Sequence, residues 1–110
     1  MIEASCECGA VRIEIETPPK TVGECNCSIC RRYGALWAYC APAQVRVSGA
    51  TTAYLRGDRQ TEFHHCAVCR CLTHWVGADR SAKRMAVNAR LMEPDVLKSA
   101  QIVPLDGASL

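Results

Sequence analysis

The sequence predicts a small, mainly β domain stabilised by bound metal, and three observations lead to that class. Apolar and polar residues alternate with a period of two in several short runs separated by Gly and Pro. Helical patterning is confined to two short stretches. Nine of the 110 residues are Cys while aromatic residues make up only 5%, a thin filling for an ordinary apolar core.

The first run, Ala10 to Thr17, interleaves Val11, Ile13 and Ile15 with Arg12, Glu14 and Glu16, the pattern of a strand with one wet face, and Pro18 and Pro19 end it. One or two helical turns are expected after Cys27. Shorter strand signals follow at Leu36–Tyr39, Val45–Val47, Thr52–Leu55, Glu62–His65, Leu72–Val76 and Met85–Val87. Glu93 through Ala100 reads as a helix, with Pro94 suited to a first helical position. The chain has no repeat, low-complexity tract or linker, so residues 1–110 are expected to form a single domain.

Thirteen basic and eleven acidic residues give a net charge of +2. No apolar stretch approaches the roughly 18 residues of a membrane-spanning helix. The N-terminus carries Glu3 and Glu7 and lacks the apolar run of a secretory signal. The expected location is the cytoplasm, where reducing conditions favour metal ligation by clustered Cys over a disulfide scaffold; the odd count of nine agrees.

The cysteines fall into two groups of different character. Cys6-Glu-Cys8-Gly9 stands before the first strand and Cys66-Ala-Val-Cys69 after a later one, two close pairs with 57 residues between them. Four thiolates on short turns suit one tetrahedral zinc, although iron would accept the same set. Such a site would tie the start of the chain to its middle, and structural zinc in small peptides contributes on the order of 10 kcal/mol to folding. Cys25-Asn-Cys27-Ser-Ile-Cys30 is instead three thiols within six residues, followed by Arg31, Arg32 and Tyr33. Structural zinc is normally closed by four protein ligands, whereas a catalytic site keeps three and leaves one position open. Either Cys40 or a His completes this group as a second closed site, or it stays open. Three thiolates leave a divalent ion with a net charge of about −1, poor for acidifying water. A soft site of that kind suits an incoming thiol, held as thiolate. Cys40, in Ala-Tyr-Cys-Ala-Pro, reads as a small buried apolar residue. Cys71 reads as a strand residue beside the first site.

These motifs resemble the glutathione-dependent formaldehyde-activating family, which includes the centromere-protein-V type domains. Ser5-Cys6-Glu-Cys8-Gly9-Ala10-Val11 is similar to its opening Cys-x-Cys-Gly-Ala-Val, Cys25-Asn-Cys27-Ser28-Ile-Cys30-Arg31-Arg32 to its central Cys-x-Cys-Ser-x-Cys-Arg-Arg, and Phe63 through Cys69 to its late Cys-x-x-Cys. The resemblance covers roughly residues 5 to 100. It implies coiled antiparallel sheets of the β-tent type, and two zinc ions per chain. One is structural on Cys6, Cys8, Cys66 and Cys69; the second, with catalytic character, is held by Cys25, Cys27 and Cys30. It also implies a carbon–sulfur lyase that joins formaldehyde and glutathione reversibly as S-(hydroxymethyl)glutathione. One departure stands out. The family usually follows its last pair with Gly, where this chain has Arg70 and Cys71. Arg fits such a turn only at negative φ or with strain, so either the turn differs, the strain is accepted, or Cys71 shares the metal.

The expected chemistry is attack of a thiolate on an aldehyde carbon to give a hemithioacetal. Arg31 or Arg32 is placed to pair with substrate carboxylates or to steady the developing alkoxide. His64, His65 and His74 are candidates to carry a proton, although alternation sends His64 and His65 to opposite faces. The rival reading is a zinc-stabilised binding module for a thiol ligand, protein or nucleic acid, with Arg31, Arg32, Arg56, Arg59, Arg80, Lys83 and Arg84 as a basic surface. Acidic residues interrupt that set and stacking aromatics are few, which argues against nucleic acid.

Overall fold

The computed structural model describes residues 1–109, and its chain folds into two β-sheets with two short helices. The smaller sheet joins β1 (Ile2–Ser5), β2 (Arg12–Ile15) and β5 (Val45–Ser48) in the order β1-β2-β5, all antiparallel. The larger contains β3 (Thr21–Cys25), β4 (Trp37–Cys40), β6 (Thr51–Leu55), β7 (Thr61–Cys66), β8 (Leu72–Gly77), β9 (Met85–Asn88) and β10 (Gln101–Leu105). Its order is β10-β3-β4-β9-β8-β7-β6. Helix α1 spans Ser28–Tyr33 and α2 spans Pro94–Lys98. No helix of the described residues is long and apolar enough to cross a membrane.

The mainly β class and every strand and helix signalled by patterning are present. Three strands carried no signal: β1, β3 and β10. The sheets are also not wholly antiparallel, because β10 runs parallel to β3 with Gln101 opposite Thr21 and Leu105 opposite Cys25. Pro104 hid this strand; it is tolerated because β10 is an edge, where a missing N–H leaves no ladder bond unmade.

The period of two deals residues of the large sheet to two separate cores. Leu36, Ala38 and Val87 join Ala4, Val11, Ile13, Ile15, Val22, Met85 and Met92 in one cluster. Trp37 and Ala86, the intervening residues, join Phe63, Leu72, Ala35, Cys27 and Cys30 in the other. The few aromatics are concentrated there: the Phe63 ring centroid is 5.7 Å from that of Tyr33 and 6.1 Å from that of Trp37. One face of the sheet thus packs on aliphatic residues with Cys6 and Cys66, and the other on aromatic rings with Cys27 and Cys30.

Candidate metal centres

The first cysteine cluster is built from two turns, one leaving β1 and one leaving β7. In each, the residue after the second Cys closes the turn: Gly9 N–H donates to the Cys6 carbonyl at 3.1 Å, and Arg70 N–H to the Cys66 carbonyl at 3.0 Å. Both are left-handed, Gly9 at φ 80° and Arg70 at φ 68°. Glycine adopts that conformation freely and arginine with strain, so the turn expected of a Gly is kept by Arg70. The four Sγ atoms of Cys6, Cys8, Cys66 and Cys69 lie within 4.8 Å of one another, with Cys6 and Cys8 at 3.6 Å and Cys8 and Cys66 at 3.7 Å. Metal–sulfur bonds of about 2.3 Å give a tetrahedron with edges of about 3.8 Å. The donor set therefore fits a tetrahedral, thiophilic cation. Cys71 lies outside these four and just before β8 rather than in it.

Backbone donors converge on the same sulfurs. Val11 N–H reaches Cys6 Sγ at 3.3 Å, and the N–H groups of Val68 and Cys69 reach Cys66 Sγ at 3.4 Å. N–H groups of Cys71 and Cys8 bring the Cys69 thiol down to about 6. An N–H from Ala10 acts the same way on Cys8, but burial and bonds to the neighbouring sulfurs push it up to about 12. Packed sulfurs cannot all ionise by themselves, and a divalent cation displaces the protons they retain.

The second cluster is Cys25 at the end of β3, Cys27 before α1 and Cys30 on the buried side of α1. Their sulfurs also lie within 4.8 Å of one another, and among the described residues no fourth Cys, His, Asp or Glu joins them. Cys40 does not close the site. It is half-buried rather than buried, packs on the aliphatic cluster and donates to the Ala38 carbonyl at 3.4 Å. Burial acts upward on the Cys27 thiol, but the N–H groups of Cys30 and Ile29 and bonds from the other two sulfurs bring it down to about 7. Burial pushes Cys30 up to about 12 against the opposing Trp37 indole N–H, 3.4 Å from its sulfur. Arg56 spans Cys27 Sγ at 3.8 Å and Ser28 Oγ at 3.5 Å with its two terminal nitrogens.

The C-terminal segment forms one wall. Asn26, between two of the cysteines, donates through Nδ2 to Asp106 at 3.0 Å and accepts the Ala108 N–H at 3.0 Å. Gly107 comes so close that a Cβ there would stand 2.5 Å from Cys25 Sγ and 3.3 Å from Cys27 Cβ. A side chain there would displace the Cys25 sulfur or the segment itself.

Cys25 and Cys30 open on two clefts. The larger, about 800 Å³, is lined by all three cysteines with Trp37, Tyr39, Phe63, Trp75, Arg56 and Arg84 among others. The smaller, about 420 Å³, is lined by Cys25, Cys30, Arg31 and Asp106 among others. Arg31 is thus beside the cluster, whereas Arg32 donates to the Ser28 carbonyl at 2.7 Å within its own helix. No histidine lines either cleft. His64 and His74 stack on each other at 4.6 Å on the aliphatic face, and His65 pairs with Tyr33 Oη at 3.1 Å. Composition marked Arg56 and Arg84 only as surface charge, and nothing marked Trp37, Asn26 or Gly107. Their roles arise from pairings across 7 to 82 residues of sequence, with no local motif to announce them.

Comparison with known proteins agrees with this architecture. A crystal structure of a Rhodobacter sphaeroides protein superposes with a TM-score of 0.74 at 32% identity, covering 93% of this chain and 100% of that one. A curated protein of Halomonas elongata, named "Putative glutathione-dependent formaldehyde-activating enzyme", is 33% identical over 70 residues. That match covers 62% of this chain and 42% of the relative's length. The family described as glutathione-dependent formaldehyde-activating enzyme matches residues 1–103. With two cysteine clusters that could hold metal on a mainly β scaffold, the chain belongs to the glutathione-dependent formaldehyde-activating enzyme family.

Proposed function

We propose that the protein is a zinc-dependent carbon–sulfur lyase-type enzyme that forms and cleaves a thiol–aldehyde adduct, with glutathione and formaldehyde as the pair its family name suggests. The observation that carries this reading is the three-sulfur cluster with no fourth protein ligand among the described residues, opening on a cleft of about 800 Å³. Cys6, Cys8, Cys66 and Cys69 hold a structural zinc, and Cys25, Cys27 and Cys30 a second one. A zinc with three thiolate ligands supplies an open position at which a substrate thiol is kept ionised near neutral pH.

The rest is done by the chain. The substrate sulfur attacks the aldehyde carbon, a carbon–sulfur bond forms, the carbonyl π pair moves to oxygen, and the proton given up by the thiol ends on that oxygen. The reverse sequence cleaves the adduct. Arg31, which lines the smaller cleft with Cys25 and Cys30, would steady the developing alkoxide. Trp37 and Arg56 direct N–H groups at Cys30 and Cys27, orienting two of the three ligands and drawing charge from their sulfurs. All nine cysteines are free of disulfides, which suits a reducing compartment such as the cytoplasm.

The test is the zinc-to-protein ratio of freshly purified, reduced protein, followed by titration of the same sample with glutathione. Two zinc ions per chain, one of them harder to chelate when glutathione is added, is the expected result. One tightly held zinc, indifferent to glutathione, would overturn the reading in favour of a zinc-stabilised binding module.

A further inference from the structure

Two guanidinium groups enter the larger cleft, and neither meets a carboxylate. Among the described residues the ion pairs are those of Glu62 with His64 and with Arg80. Asp58 also lines the cleft, but its Oδ1 accepts the Gln60 N–H at 3.1 Å. Arg56 is held at the metal end by Cys27 and Ser28. Arg84 is different: its guanidinium carbon lies 4.7 Å from the centroid of the Tyr39 ring, over its face.

That shelf is built rather than incidental. The Tyr39 ring lies against Gly23, where a Cβ would come within 2.8 Å of ring carbon Cε2 and 3.2 Å of Oη. Its edge faces Trp75, with ring centroids 6.2 Å apart. Strands β3, β4 and β8 therefore fix the ring, and Arg84, just ahead of β9, rests on it. A guanidinium stacked through its face keeps its in-plane N–H groups available, and their fork matches a carboxylate.

We infer that Arg84, shelved on Tyr39, is a specificity-determining residue that receives a carboxylate of the thiol substrate whose sulfur lies at Cys25, Cys27 and Cys30. The inference rests on the thiol-site reading above and adds to it the residue that selects a thiol carrying an anionic group away from its sulfur over a neutral one. Lys83, the neighbouring cation, is not among the residues lining the cleft.

Calorimetric titration of the zinc-loaded protein with glutathione and with glutathione dimethyl ester tests this. The wild type is expected to bind the free acid more tightly. Arg84→Met is expected to weaken glutathione binding about tenfold and leave the ester unchanged. Arg84→Lys is expected to recover part of the loss, and Lys83→Met to change neither ligand. Arg84 is exposed, so the variants should melt as the wild type does. Equal affinity of the wild type for acid and ester, or equal weakening of both by Arg84→Met, would overturn the carboxylate role while leaving the thiol site standing. Binding of neither form would overturn the thiol site and this inference with it.

Discussion

Replacing Arg70 by Gly should make the protein more stable, although it removes a long side chain from a turn that carries two candidate metal ligands. Arg70 sits at φ 68°, where a residue with a Cβ is disfavoured by about 1–2 kcal/mol. Glycine escapes that cost but gives the unfolded chain more freedom, a loss of roughly 0.4–1 kcal/mol. The difference is a net gain of about 0.5–1 kcal/mol. The side chain is exposed, and its backbone bond to the Cys66 carbonyl survives the change. With an unfolding entropy of about 2.1 cal/mol/K per residue, a chain of this length should melt about 2–4 °C higher. The assay is thermal unfolding of zinc-loaded protein, with Arg70→Ala and Arg70→Asn alongside. Alanine keeps the strain and should gain nothing, and asparagine, which tolerates the left-handed region, should fall between. A gain for Ala equal to that for Gly would point to charge rather than backbone strain, and a lower melting temperature for Gly would refute the reasoning outright.

The two clusters should respond differently to loss of a ligand. Cys69→Ser should remove the first zinc and several kcal/mol of stability, whereas Cys27→Ser should abolish thiol–aldehyde turnover and change stability by about 1 kcal/mol or less. Metal analysis and melting on both variants check this, and equal unfolding of the two would break the division into structural and reactive sites. Gly107→Ala should force the C-terminal segment off Cys25 and speed chelator extraction of the second metal by about tenfold, leaving the first unaffected in a two-phase extraction curve. Burial holds His74 neutral, its value lowered from 6.5 to about 4, with His64 adding to the effect. The unfolded chain takes up that proton as pH falls below about 6.5 while the folded chain does not, so stability declines from about 6.5 down to about 4. The linked loss is on the order of 3 kcal/mol, and denaturant unfolding across this range should show a shallower pH slope for His74→Gln than for wild type.

Much of this molecule is legible in its sequence because two kinds of signal are local. Alternation marks strands with one buried face, as in Val11, Ile13 and Ile15, and paired cysteines mark the turns that bring their sulfurs together. Two of the three missed strands, β3 and β10, share a cause in long-range pairing; β1 instead pairs locally with β2. β3 and β10 hold Gly23 and Pro104, residues that weaken a strand taken alone, yet the two pair along their whole length. Each supports the other in a register that no window of sequence contains. The site was legible only as far as its sulfurs. Arg56 reaches Cys27 from the β6–β7 turn, 29 positions away, and Tyr39 can carry Arg84 only because Gly23 leaves room beneath it.

The wall formed by Asn26 and the segment from Leu105 to Ala108 separates the inventory of ligands from the existence of a site. All seven candidate metal ligands lie at or before Cys69, but the backbone that closes over Cys25 arrives about forty residues later. A nascent chain therefore displays every thiol well before it can shield the second group from solvent, oxidants or competing ions. Arrival of the segment from Leu105 to Ala108, at and just past the end of β10, is the event that turns an exposed trio of thiols into a defined pocket. A relative that retained each cysteine but diverged after residue 100 would match every metal motif and still lack that wall, so comparisons meant to separate active from inactive members should weigh the last strand as heavily as the cysteines.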